Sequence, residues 1–197
     1  MIWAIILAAG KSERMERAKL LLPFGDKTII ETVIESVLQS NADKVLVVLG
    51  SKREKIEQKI KSYVINIGFN PRFAEGMLSS VQHGFQAVPS NARAALVVLG
   101  DQPSVSSATI NKIIDEFERT KKGIVLPVYE SRRGHPILID MKYRDEIEHL
   151  DPEIGLRELV HRHPEDVLEI EVDTPTILQD IDDKDDYEEE LKGKGDV

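Results

Sequence analysis

The sequence predicts a three-layer α/β fold, a mainly parallel sheet with helices on both faces, in one domain spanning residues 1–197. Three observations predict it. Short aliphatic runs alternate with segments of helical period, the pattern of strand–helix–strand crossovers. The runs are continuously apolar, as strands buried on both faces must be. The most apolar of them end in small or polar turns, where an open sheet carries its loops.

In chain order, "WAIILA" (3–8) is the first buried strand. "TIIETVIESVLQS" is a helix, with Ile29, Ile30, Val33, Ile34, Val37 and Leu38 on one face behind a Thr28 N-cap. "KVLVVLG" is a strand and "KREKIEQKIKSY" a largely solvated helix; "VINIG" and "GMLSSVQHGFQAV" repeat the alternation. "RAALVVLGDQP" is a central strand closed by a polar turn, and "SSATINKIIDEFERT" follows with a core stripe of Ile110, Ile113, Ile114 and Phe117. From Gly123 the pieces shorten to "IVLPVY", "HPILI" and helices near 142–149 and 154–162, before an acidic last helix in "DIDDKDDYEEELKGKGDV". No internal repeat or low-complexity linker interrupts this rhythm.

Composition narrows the functions. A chain of 197 residues and net charge -9 lacks the basic face that a phosphate-backbone binder needs, so no nucleic-acid partner is expected. With no cysteine, disulfides, thiolate metal sites and cysteine nucleophiles are ruled out. The apolar stretch Ile2 to Ala9 is too short to span a bilayer, so the expectation is a cytoplasmic protein with no membrane partner.

Chemistry is sought just after the strands. In Leu7-Ala8-Ala9-Gly10-Lys11-Ser12 the early glycine of a phosphate loop is replaced by Ile5, and Gly10 is the only glycine before Gly25, so neither G-x-x-x-x-G-K-[ST] nor G-x-G-x-x-G is present. What remains is a small-residue turn able to form an anion nest, followed by the cations Lys11, Arg14 and Lys19. After "VVLG", Asp101 stands at the carboxyl edge of the sheet, ahead of Pro103. There it either caps the turn or holds Mg²⁺, which takes one or two protein carboxylates. In "LQDIDDKDDY", Asp180 and Asp182 share a face if extended, and one of them would complete the site begun by Asp101. Asp185 and Asp186 read as the acidic first turn of a helix. Gly76, Ser79 and Ser80 form a Gly-to-helix junction suited to capping or to reading a nucleobase. His161 and His163 read as solvated surface, whereas His135 stands between Gly134 and Pro136 and is a substrate-contact candidate.

Taken in order, "LAAGKSERM" with Lys19 and "PF" after it, "GMLSSVQHGF", "GDQP", "RRGHPILI" and "DIDDKDDY" resemble the MocA-like branch of the nucleotidyltransferases, which is similar to the MobA guanylyltransferases. The resemblance covers nearly the whole chain. It implies a Rossmann-like, nucleotide-diphospho-sugar-transferase-like fold, with a nucleotide-binding half at 1–122 and an acceptor-side half at 123–197. It implies further that Leu7 to Ser12 hold a nucleoside triphosphate, that Lys19 and Arg14 act on its phosphates, and that Asp101 and Asp182 bind Mg²⁺. Gly134 and His135 would lie on the pterin side, and Arg157 on the acceptor side. Two departures stand out: Glu16 replaces the glycine of R-M-G, and Pro152-Glu153-Ile154-Gly155-Leu156-Arg157 keeps only the last Gly and Arg of G-D-x-G-A-R.

The expected reaction is transfer of a nucleoside monophosphate from an NTP, CTP ahead of GTP, to the phosphate of molybdopterin, with pyrophosphate released and a molybdoenzyme as a receiver of the product. A sugar-phosphate or alcohol-phosphate nucleotidylyltransferase is the rival enzyme. A non-catalytic cofactor carrier is the rival of another class.

Overall fold

In a computed structural model describing residues 1–11 and 18–194, the strands are β1 (Ile2–Ala8), β2 (Pro23–Phe24), β3 (Lys27–Thr28), β4 (Lys44–Leu49), β5 (Asn66–Phe69), β6 (Ala94–Leu99), β7 (Ile124–Tyr129), β8 (Arg132–Arg133), β9 (Ile137–Asp140) and β10 (Val167–Glu171). The helices are α1 (Ile29–Leu38), α2 (Arg53–Ile60), α3 (Met77–Ala87), α4 (Ser107–Thr120), α5 (Arg144–Ile147), α6 (Leu156–Arg162) and α7 (Lys184–Lys194). The main sheet runs β10-β7-β9-β6-β1-β4-β5, with β8 paired to β7; β2 and β3 form a separate two-stranded ribbon.

Alternation along β1 divides the core into two layers. Ile2, Ala4, Ile6 and Ala8 pack with the apolar faces of α1, α2 and α4, while Trp3 and Ile5 pack with α3, α5 and α6. This is the three-layer α/β fold that the sequence predicts. The α1 stripe is buried as expected except for Leu38, which is 42% exposed. Its start is fixed by Glu31, whose carboxylate accepts from Thr28 N at 2.9 Å and Thr28 Oγ1 at 2.6 Å, the Glu half of a capping box.

The second half departs from simple alternation. β9 is antiparallel to both β6 and β7 and fills the slot between them. Only residues 130–136 separate β7 from β9, and a parallel crossover needs a dozen or more, so the chain must return antiparallel. β10, for which the sequence carries only the alternation of Leu168, Ile170 and Val172 with Glu169 and Glu171, pairs parallel to β7 at the sheet edge. No helix among the described residues is long and apolar enough to cross a membrane.

Candidate functional site

The chain leaves β1 to build β4 on one side and returns to build β6 on the other. Strand order therefore reverses between β1 and β6, and the crevice beyond their carboxyl ends is where open α/β sheets bind ligands. Two turns meet there. Gly100 N donates to Leu7 O at 3.0 Å, and a Cβ at Gly100 would stand 2.7 Å from that oxygen, so only glycine lets the β6 turn lie against β1. Asp101 follows directly and is carried to the crevice.

A third segment is pinned to the same place. Ile181, fully buried, donates its N–H to Asp101 O at 3.1 Å, which brings the neighbouring Asp182 beside Asp101. Lys19, from the 3-10 turn Lys19–Leu21, then reaches both: its Nζ lies 2.8 Å from Asp101 Oδ2 and 3.1 Å from Asp182 Oδ1. Burial alone pushes the Lys19 pKa down, but the charge of Asp101 and the hydrogen bonds to both carboxylates outweigh it and raise the pKa, so the ammonium stays charged.

A cleft of about 460 Å³ opens over this cluster, lined by Leu7, Ala9, Gly10, Lys11, Lys19, Ser80, Asp101 and Asp182 together with Phe73, Ala74, Gly76, Met77 and Leu99. Ala8 is buried beneath it. Gly76 has φ +102° and ψ -179°, a conformation essentially restricted to glycine, and opens α3 at the cleft edge. Ser79 and Ser80 part company here. Ser79 is turned inward, its Oγ within hydrogen-bond distance of Arg72 O and Gly76 O and accepting from Asn70 Nδ2, while Ser80 both binds Asn70 Nδ2 and lines the cleft. Asn70, 1% exposed, organises this turn and was not among the sequence candidates; the Asn-Pro pair at 70–71 is the signal that marks it. Ser12 and Arg14 lie outside the described residues.

A second cleft of about 640 Å³ adjoins the first, Met77 and Leu99 lining both. Gly134, His135, Arg157, Gln102, His161 and Asp180 are on its walls. Its backbone is tightly held: Gly134 N donates to Pro127 O at 2.9 Å, His135 N donates to Ile177 O at 3.0 Å, and a Cβ at Gly134 would meet Ile177 O at 2.4 Å. Burial, aided by the nearby Arg157 charge, lowers the His135 pKa to about 4, which leaves the imidazole neutral at pH 7. Asp180 faces this second cleft, and burial together with the charges of Asp182 and Asp101 raises its pKa.

Two acidic residues of the third segment serve the helix instead. Asp183 Oδ1 accepts from Asp185 N at 2.9 Å and Asp186 N at 3.1 Å, capping α7, while Asp186 Oδ2 accepts from Asp182 N at 2.9 Å. His163 corrects the surface reading: it is half-buried, with Nε2 2.8 Å from Glu146 Oε2 and its ring 4.7 Å from that of Tyr143. His161 is exposed on the wall of the second cleft.

The fit to a divalent cation can be judged from the donors. Among the described residues no group of three or more His, Cys, Asp or Glu forms a metal cage. Asp101 and Asp182 instead converge on one cation, the Lys19 ammonium, and a pair of carboxylates open to a cleft is the donor set Mg²⁺ uses when phosphate oxygens and water supply the rest. The residues fit such an ion.

With this geometry in hand, likeness to known proteins is informative. The chain is 28% identical over 184 residues to the molybdenum cofactor cytidylyltransferase of Escherichia coli (strain K12), covering 93% of this chain and 92% of that protein. It is 30% identical over 151 residues to nicotine blue oxidoreductase of Paenarthrobacter nicotinovorans, covering 73% and 72%. Among solved structures, Rv0371c of Mycobacterium tuberculosis H37Rv superposes with a TM-score of 0.87 at 30% identity over 97% of both chains. A manganese complex of Rv0371c superposes with a TM-score of 0.82 at 28% identity, over 97% of this chain and 98% of that one. Residues 4–167 match the MobA-like NTP transferase domain, and with the α/β nucleotidyltransferase fold already described, the chain belongs to that family of nucleotidyltransferases.

Proposed function

We propose that the protein transfers a nucleoside monophosphate from an NTP, CTP ahead of GTP, to the phosphate of a molybdopterin-type acceptor, with Mg²⁺ held by Asp101 and Asp182. The observation that carries the reading is Lys19 bridging those two carboxylates at the switch point of the sheet, at distances of 2.8 and 3.1 Å. The likeness to a cytidylyltransferase supports CTP as donor and a molybdopterin-type acceptor, and the manganese complex of Rv0371c supports a divalent ion.

The chemistry follows from the groups present. A phosphate monoester has a second pKa near 6, so at pH 7 it is largely dianionic and needs no general base. One of its oxygens attacks the α-phosphorus of the NTP. The new O–P bond forms as the bond to the β-phosphate oxygen breaks, and pyrophosphate leaves with the electron pair. The chain's task is to align two anions and spread their charge. In this reading Gly10 and Lys11 cradle the triphosphate, Lys19 and Arg14 neutralise its oxygens, Ser80 and Gly76 border the nucleoside, and Gly134, His135 and Arg157 hold the acceptor in the adjoining cleft. When bound, Mg²⁺ supplies positive charge to the phosphate oxygens. A neutral His135 is suited to hydrogen bonding with a polar heterocycle rather than to proton transfer.

Asp101→Asn tests the assignment. The variant is expected to fold normally, as read by circular dichroism, and to lose on the order of 10²–10³ in kcat through loss of transition-state charge stabilisation. Turnover close to wild type would remove Asp101 from the reaction.

A further inference from the structure

We propose that Lys19 holds the cation position between Asp101 and Asp182 in the ligand-free protein and leaves it only when a divalent ion arrives with a nucleoside triphosphate, so that metal and nucleotide bind as a coupled pair. The inference rests on the metal role given above to Asp101 and Asp182.

The position is already filled and held in place. Lys19 Nζ sits within 2.8 Å of one carboxylate and 3.1 Å of the other, and only 8% of the residue is exposed. The backbone carrying each carboxylate is held in place, at Asp101 by the bond from Ile181 N to its main-chain oxygen and at Asp182 by the bond from its own N–H to Asp186 Oδ2. Mg²⁺ coordinates oxygen at about 2.0–2.1 Å. An ion at that distance from Asp101 Oδ2 and Asp182 Oδ1 would take the two oxygens that the ammonium now holds. The two cations therefore compete for the same oxygens, and a metal ion alone must displace a formed ion pair whose lysine is largely buried.

A triphosphate changes that balance. Lys19 lines the same cleft as Gly10, Lys11 and Ser80, so its four-carbon stem can swing the ammonium from the carboxylates to phosphate oxygens within that cleft. The displaced charge then finds a new partner, and the metal finds phosphate ligands. Coupling of this kind is reciprocal: the nucleotide must tighten the metal by the same factor as the metal tightens the nucleotide.

The test is Mn²⁺ binding, followed by the electron paramagnetic resonance of the free ion, with and without a non-hydrolysable CTP analogue. Wild type is expected to bind Mn²⁺ weakly alone and on the order of tenfold or more tightly with the analogue. Lys19→Met and Lys19→Gln should bind the metal alone on the order of tenfold more tightly than wild type and lose most of the coupling, whereas Lys19→Arg, which keeps the charge, should show no gain in metal-alone affinity. Folded Lys19→Met and Lys19→Gln proteins whose metal-alone affinity is unchanged or weaker would overturn the exchange. Asp101→Asn separates the two levels. If it leaves Mn²⁺ binding intact, the metal reading itself fails; if it abolishes binding while the Lys19 variants show no gain, only the exchange fails.

Discussion

At His135, burial and a neighbouring guanidinium decide a protonation state. Its pKa of about 4 in the folded chain lies below the ordinary value of 6.5. Between those values the unfolded chain binds a proton that the folded one does not, so stability is greatest above pH 6.5 and falls as the pH drops toward 4. The melting temperature of wild type should therefore decline more steeply than that of His135→Gln over this window, by an amount worth about 3 kcal/mol at the lower end. Parallel curves would show that the imidazole titrates normally. Other site residues differ in how far the sequence reveals them. Gly10, Lys19 and Asp101 stand out in the sequence as a small residue and isolated charges near apolar runs, and the fold brings all three to one cleft. Ser79 and Ser80 were indistinguishable as adjacent hydroxyls, since both bond Asn70 and only the helical rotation turns one inward to Arg72 O and Gly76 O and leaves the other on the cleft. The residue pattern left Asp180 and Asp182 open and only the resemblance favoured Asp182; the contact that separates them is with Lys19, 163 positions away in sequence.

Among the elements, α3 shows how local conformation sets a site. Gly76 begins it with a φ of +102°, and its Cβ position is open, so substitution by alanine meets backbone strain without a steric clash. Gly76→Ala is expected to cost about 1–3 kcal/mol of stability and to raise the KM for nucleotide more than it lowers kcat. Thermal melting with steady-state kinetics checks this, and an unaltered KM would detach the α3 start from nucleotide binding. The same principle explains what sequence reading misses. Glu130 and Ser131 have φ of 47° and 63° in the turn between β7 and β8, the left-handed pair of a tight hairpin, without the Asn or Gly that normally announces one. The antiparallel course of β9 was equally hidden, because an apolar run looks the same in either direction and only the connection length reveals it. The parallel strands β1, β4 and β6 were plain from their continuous apolar character.

Across the whole molecule, the topology gathers distant segments at one edge of the sheet. The β1 turn, the β6 turn and the Asp180–Asp182 segment are joined by the bonds from Gly100 N to Leu7 O and from Ile181 N to Asp101 O. The two clefts they border share Met77 and Leu99, so the cleft proposed for the nucleotide and the cleft proposed for the acceptor lie side by side. In a molecule of net charge -9, the cleft sets the Lys11 and Lys19 ammoniums beside the Asp101 and Asp182 carboxylates, with Lys19 bridging the two. A two-substrate transfer between those clefts is the central claim, and pyrophosphate release tests it most directly, measured with Mg²⁺ and each of CTP, GTP, ATP and UTP, with and without molybdopterin. Release that requires the pterin and is fastest with CTP is the predicted result; no pterin-dependent release with any of the four nucleotides would contradict it.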